Sequence, residues 1–319
     1  MKQSSGYRAG VVLVLAASIL WGTSGTAATF APDVSPIAIG ATAMGFGGLL
    51  QALIALRSIR HNGRGLRGQW RIVALGAIAV TIYPLAFYTS MHLAGVAAGT
   101  VVSIGSAPIF ASIIERVADR HRLTRRWVTG AGLGIAGATV LCVAESATPG
   151  ASRAFDSALG VFLGLLAGLT YALYSWAAHH VIETGVPARP VMGSIFGVAG
   201  ALLMPVALAP GAPFLSSWPT ASVGIYLAVI PMFAGYVLFG MGLARVRAST
   251  AIVLTLVEPV VAAILAVVIV GERLPTLGWV GVGLIVSSLI ALTFRWPRRN
   301  EPIIRSSRID DRQIALPPS

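Results

Sequence analysis

Charge is what this chain has least of. Only 11% of its 319 residues are Asp, Glu, Lys or Arg, against about a quarter in an ordinary soluble domain. With 56% hydrophobic residues and a mean hydropathy of +0.82, a water-soluble globular protein is excluded. No Lys or Arg falls inside the apolar runs described below, Arg71 and Arg295 standing only at the edges of theirs. Long polar stretches are also missing before residue 295, so there is no room for a soluble catalytic domain, and no ATP-binding pattern is present. The single cysteine, Cys142, lies within an apolar run. It rules out an intramolecular disulfide and says nothing about redox compartment.

What is present is a succession of apolar runs of about 20 residues, the length that covers a ~30 Å hydrocarbon core at 1.5 Å per residue. Ten are predicted, near 9–30, 36–56, 71–91, 96–115, 127–146, 158–178, 190–209, 220–242, 249–269 and 276–295. The first is longer than the apolar part of a cleaved signal peptide and is predicted to stay as a membrane helix. The predicted fold class is therefore an all-α integral membrane protein with ten transmembrane helices.

The formal net charge of +12 raises the question of nucleic acid, and the placement of the basic residues answers it. With a cytoplasmic N-terminus, every basic residue except Arg153 and Arg273 falls inside, including the loops RSIRHNGRGLRGQWR and ERVADRHRLTRR and the tail. The positive-inside rule accounts for the charge without a nucleic-acid partner, and anionic membrane lipid adds attraction for the basic loops. Both termini are predicted to be cytoplasmic. The tail, 297–319, is predicted to be disordered.

The two halves resemble each other. RLTRRWVTGAGL, 122–133, lies over RLPTLGWVGVGL, 273–284, at a constant offset that carries Arg122 to Arg273, Gly130 to Gly281 and Pro108 to Pro259. This divides the chain into 1–150, 151–296 and the tail, with five runs per half. Five is odd, so the second half enters the membrane from the opposite side. Such inverted repeats enclose a substrate site near the bilayer midplane in secondary transporters. Pro108 and Pro259 both fall near mid-depth, where each removes a backbone hydrogen bond, and are expected to act as bending points.

WGTS in the first run, SAPIFASI in the fourth, LVEPVVAAIL in the ninth and GERLPTLGWVGVGLIV leading into the tenth resemble the EamA branch of the drug/metabolite transporter superfamily. The aromatic-rich third and sixth runs resemble bacterial aromatic amino acid exporters within it. The resemblance implies an inner-membrane secondary exporter of amino acids or similar small amphipathic metabolites, or alternatively a proton-coupled exporter of drugs and lipophilic cations. It implies a carrier that functions as a monomer, with no cofactor, no metal and no enzymatic activity. DRHRL in the first half departs from VGERL in the second, His121 replacing the acid, so Glu272 is given no transport role.

GLGIAG at 132–137 matches the dinucleotide fingerprint letter for letter. Its context, inside a long apolar run rather than between a strand and a helix, instead predicts close helix packing. The absence of a buried cation excludes phosphorylated substrates, whose usual partners are Arg and Lys. Trp21 and Trp176 lie one turn apart on symmetry-related runs and either line an aromatic pocket between the halves or pack against neighbours. Ser24, Tyr83, Phe87, His92 and Phe239 complete the predicted substrate-binding set, each with core packing as the alternative, and His92 also with an interfacial position. Glu258 is the one acid at mid-span. A charged, unpaired carboxylate there costs several kcal/mol, so it either stays protonated or finds donors. Two roles remain open for it, a proton carrier and a hydrogen-bonded brace for the backbone that Pro259 frees.

Overall fold

The computed structural model describes residues 2–94, 96–120, 125–145, 154–208, 214, 217–270 and 276–293, and among these every regular element is a helix. Arg153, Arg273, Glu272, His121 and the predicted disordered tail lie outside the described residues. Helix occupies each of the ten apolar runs as far as they are described. Seven of these stretches are long and apolar enough to cross a membrane. They are Gly6–Ala28, Pro36–His61, Trp70–Leu93, Ala158–Glu183, Ala188–Leu208, Trp218–Leu243 and Ala248–Ile269.

Local chemistry sets several boundaries. After α1 (Lys2–Ala28), α2 (Pro36–His61) begins where the Ser35 hydroxyl accepts the Ala38 N–H at 3.3 Å, with Pro36 fixing φ in the first turn. The predicted basic loop after it is largely helical. It contains a short α3 (Gly63–Gly68), set off by Asn62 and Gln69, and leads into α4 (Trp70–Ala94). Nothing in RSIRHNGRGLRGQWR forbids helix except its glycines, so the turn contracts to single residues. α5 (Val96–Ala118), α6 (Arg125–Glu145), α7 (Ala154–Glu183) and α8 (Ala188–Leu208) follow.

The eighth and ninth runs are interrupted, each around a proline. α9 (Trp218–Leu227) is capped by Ser217 and passes into a π-helical stretch, Ala228–Gly235, containing Pro231, before α10 (Tyr236–Leu243). The ninth run splits into α11 (Ala248–Leu254) and α12 (Val257–Leu265), then a second π-helical stretch, Ala266–Val270. Pro259 has no N–H to give the Thr255 carbonyl, which instead accepts from Glu258 N–H at 2.9 Å, a tighter turn that breaks the helix. The two related prolines therefore behave differently, since α5 runs unbroken through Pro108. α13 (Thr276–Thr293) closes the described fold.

Small residues let the main helix pairs approach closely. A Cβ on Gly48 of α2 would lie 2.2 Å from the Phe196 carbonyl oxygen of α8, and one on Gly137 of α6 would lie 2.7 Å from the Gly281 carbonyl oxygen of α13. The fingerprint-like glycines are thus packing residues in part, although Gly132 faces open space. α2 packs along α8 and α6 along α13; α4 and α5 pack on α7, while α10 and α12 pack on α1. Advancing each apolar run by five carries this set of pairings onto itself.

Candidate functional site

Aromatic side chains from both halves converge where these helices meet. Trp21 of α1 lies 4.6 Å from Tyr236 and 5.2 Å from Phe239 of α10, ring centre to ring centre. Tyr83 of α4 lies 5.5 Å from Tyr171 and 6.0 Å from Tyr174 of α7, and stacks on Phe87 at 5.6 Å. Tyr171 reaches Phe239 at 6.4 Å, and Tyr174 reaches Tyr236 at 6.2 Å, which joins the two groups into one network. Rings at these spacings and tilts attract through their quadrupoles as well as through buried area.

The buried polar atoms of this wall are largely satisfied. Trp21 Nε1–H donates to the Pro231 carbonyl at 2.9 Å, and Gln51 Nε2–H to the Met232 carbonyl at 3.4 Å, so α1 and α2 both grip the π-helical stretch. π-helical turns of this kind occur frequently at functional sites. Tyr174 O–H donates to the Tyr236 hydroxyl at 3.2 Å. The Tyr171 and Thr255 hydroxyls bond at 2.8 Å, and Thr255 also bonds the Ile252 carbonyl at 2.8 Å. The broken ninth run is thereby tied to α7.

Glu258 is different. Its half-buried carboxylate has no hydrogen bond or ion pair among the described residues, and Tyr83, Tyr88, Tyr171 and Tyr236 lie within its electrostatic range. The brace that Pro259 calls for is supplied by backbone, through Glu258 N–H, rather than by the side chain. The Tyr83 and Tyr88 hydroxyls are likewise without a partner among the described residues and sit on half-buried side chains. Ser24 Oγ is buried and unpaired among the described residues, and a Cβ on neighbouring Gly25 would meet nothing within 4 Å of it there. A carboxylate, free phenolic hydroxyls and ring faces together can hold an ammonium group beside an apolar body.

The predicted residues thus separate into two groups. Trp21, Tyr83, Phe87 and Phe239 join the network, Phe239 as a fully buried member; Ser24 lies one turn from Trp21. His92 is exposed in the last turn of α4 and makes no ring contact with the network. Trp176 does not pair with Trp21. Its Nε1–H donates to Asp119 Oδ2 at 2.9 Å, and its ring lies 5.1 Å from His180, whose Nδ1 is 3.8 Å from Asp119 Oδ1. At about 100° per residue, Trp176 stands about 140° round α7 from Tyr171, and it is the tyrosine face that meets Tyr83. Tyr171, Tyr174 and Tyr236 escaped the sequence reading, although spacings of three at Tyr171/Tyr174 and Tyr236/Phe239 mark shared faces.

Trp176 belongs instead to a polar seal at the arginine-rich end. Glu115, in the penultimate turn of α5 and only 4% exposed, accepts from Ser249 N–H at 2.8 Å and Ser249 O–H at 2.7 Å. A carboxylate of one half so caps the first turn of α11 in the other, where Arg247 offers no side-chain cap. His179 Nδ1 bonds the Leu243 carbonyl at 2.7 Å beside it. The opposite end has no such set at the symmetry-related positions, where Gly25 stands for Trp176, Thr29 for His180 and Ala266 for Glu115.

The chain matches the EamA-like transporter family twice, over residues 8–143 and 158–294. It is 31% identical over 283 residues to the uncharacterized transporter YwfM of Bacillus subtilis (strain 168), covering 88% of this chain and 93% of that protein. A probable terminal-alkyne amino-acid exporter of Streptantibioticus cattleyicolor is 25% identical over 296 residues, 86% of this chain and 93% of the other. An uncharacterized inner membrane transporter of Salmonella typhimurium, YicL, is 25% identical over 302 residues, 92% and 97% of the two chains. A crystal structure of a protein 22% identical shares the fold, with a TM-score of 0.70 over 88% of this chain and 95% of that one. The chain belongs to the EamA-like transporter family and is a multi-pass inner-membrane transporter, not an enzyme.

Proposed function

We propose that this family member is a secondary exporter of amino acids, aromatic ones included, or of closely similar amphipathic metabolites, working by alternating access. Two five-helix repeats of opposite orientation, 1–150 and 151–296, make ten crossings with both termini cytoplasmic, and the carrier works as a monomer. Support comes from the double family match, from the pairings that recur when each run is advanced by five, and from the one-sided arginines. Export follows the family resemblance and the relative named for amino-acid export.

The observation that carries the substrate class is the unpartnered Glu258 carboxylate among tyrosines, in a set of spans whose arginines are confined to their ends. An ammonium group meets Glu258 and the ring faces, a substrate carboxylate meets the free Tyr83 and Tyr88 hydroxyls, and an aromatic side chain lies against the wall that starts at Trp21. Glu258 also exchanges protons, taking up H⁺ outside as substrate leaves and releasing it inside. The same carboxylate, with no cation nearby to match a substrate carboxylate, favours lipophilic cations as the second reading.

Flux of labelled tryptophan, labelled threonine and a lipophilic cation in proteoliposomes separates the two. Saturable movement of either amino acid supports the first; saturable movement of the cation alone supports the second and removes the first. Absence of any flux removes both.

A further inference from the structure

A cavity distinct from the aromatic network opens on the outer flank of the helix bundle at its arginine-rich end. It measures about 670 Å³ and is bounded by the end of α2, the whole of α3, the first turns of α4 and the near half of α8. The upper rim carries Arg60, Arg64 and Arg67, and the wall below is apolar, with Trp70, Val73 and Val198.

The sequence explains the division. In HNGRGLRGQW, Leu66 is the apolar anchor of α3 and is only 8% exposed, while Arg64 and Arg67 project from the same short helix into the open. Trp70 is 61% exposed, with the Arg71 guanidinium 5.6 Å from its ring centre, the arrangement of an aromatic residue at a membrane interface. Val198 is 49% exposed on the α8 side, so the groove faces outward rather than toward the bundle. The Arg60, Arg64 and Arg67 side chains make no ion pair or hydrogen bond among the described residues, and none of the lining residues is acidic. Three guanidinium groups therefore share one rim with nothing to offset their repulsion, while the floor beneath them runs two turns into the apolar zone along α4.

We propose that this groove binds an anionic phospholipid, its phosphate held by Arg60, Arg64 and Arg67 and one acyl chain lying along Val73 and Val198. Planar guanidinium groups pair with phosphate oxygens through two parallel N–H donors. A free phosphate would use the rim and leave the apolar floor bare; a zwitterionic lipid would bring its own cation to a rim already positive. The proposal is independent of what the carrier transports.

The test uses the full-length protein in detergent, with lipid retention read by native mass spectrometry for phosphatidylglycerol and for phosphatidylcholine of the same chains. Wild type is expected to hold one more phosphatidylglycerol than the triple variant Arg60→Gln/Arg64→Gln/Arg67→Gln, with apparent affinity falling at least about tenfold. Phosphatidylcholine binding is expected to be equal in both. Val198→Trp fills the groove with the arginines intact and is expected to lose the same lipid. Equal retention of phosphatidylglycerol by wild type and triple variant overturns the site, as does retention by Val198→Trp. Displacement of the lipid by millimolar inorganic phosphate alone would reduce it to an anion site. Should the triple variant not fold, the single exposed change Arg64→Gln gives the same reading through a partial loss.

Discussion

Glu115 and Ser249 stand 134 positions apart in sequence and share two hydrogen bonds, one to the serine N–H and one to its hydroxyl, in a setting nearly closed to water. The contact joins the end of one proline-containing helix to the start of its symmetry counterpart. Under the alternating access proposed above, opening the arginine-rich end would break both bonds.

Glu115→Ala is therefore expected to loosen that end. Hydrogen bonds to a charged group contribute roughly 1.5–3 kcal/mol, so losing the pair shifts the balance between closed and open by about tenfold or more. Labelling of a Ser175→Cys reporter by an impermeant maleimide from the cytoplasmic face should accelerate accordingly. An unchanged rate would show that Glu115 does not hold the end shut.

Trp176 bears on the same end through Asp119. Trp176→Phe keeps most of the ring and removes the donor, and the expected result is altered kcat with an unaltered order of preference among substrates. A changed preference would return Trp176 to the pocket in which its symmetry with Trp21 placed it.

Glu258→Gln keeps shape and removes titration. Flux of the wild type is expected to vary with pH across the neutral range, and flux of the variant to be flat. If the variant keeps the wild-type pH profile, some other group carries the proton.

The fingerprint-like run offers an internal control. Gly137→Ala pushes a methyl against the Gly281 carbonyl and is expected to lower the melting temperature in detergent, whereas Gly132→Ala meets nothing and gains up to about 1 kcal/mol of helix propensity. Equal melting temperatures for the two would remove the packing explanation of the motif.

Tyr171→Phe deletes the hydroxyl that ties α7 to Thr255. Thr255 retains its bond to the Ile252 carbonyl, so the cost is expected to be about 1 kcal/mol in stability. A much larger loss would mean that the link holds the broken ninth run in place.

Much of the fold was legible because apolar length and charge placement are properties of single segments. The ten runs, the repeat and the packing role of Gly137 all follow from counting along the chain. The break at Thr255 was half legible: Pro259 announces a missing donor, but Pro108 announces the same thing in a helix that stays whole. What separates them is tertiary. The Thr255 hydroxyl bonds Tyr171 of α7, a partner 84 positions away that no pattern around Pro259 announces. The site was legible in part for the same reason. Symmetry arithmetic related Trp21 to Trp176 correctly as positions, but could not say that α7 turns its tyrosines inward and its tryptophan toward Asp119. Glu115 was passed over because it lies near a segment end, where acids are ordinarily solvated; its burial depends on Ser249, which no local pattern connects to it.

A carrier latched at one end by contacts without counterparts at the symmetry-related positions has unequal standing populations even with no substrate and no gradient. If the latch favours the closed form by tenfold, an empty molecule waits facing the unlatched compartment about nine times in ten. Half-saturation then differs between the two compartments although the binding groups are the same, with the compartment behind the latch requiring more substrate. Thermodynamics forbids this from pumping anything; under the proposed direction of export, the higher half-saturation on the latched side keeps efflux proportional to internal concentration over a wider range before it saturates. The asymmetry between Glu115 and Ala266 would in that way set how far efflux can rise with the load inside the cell.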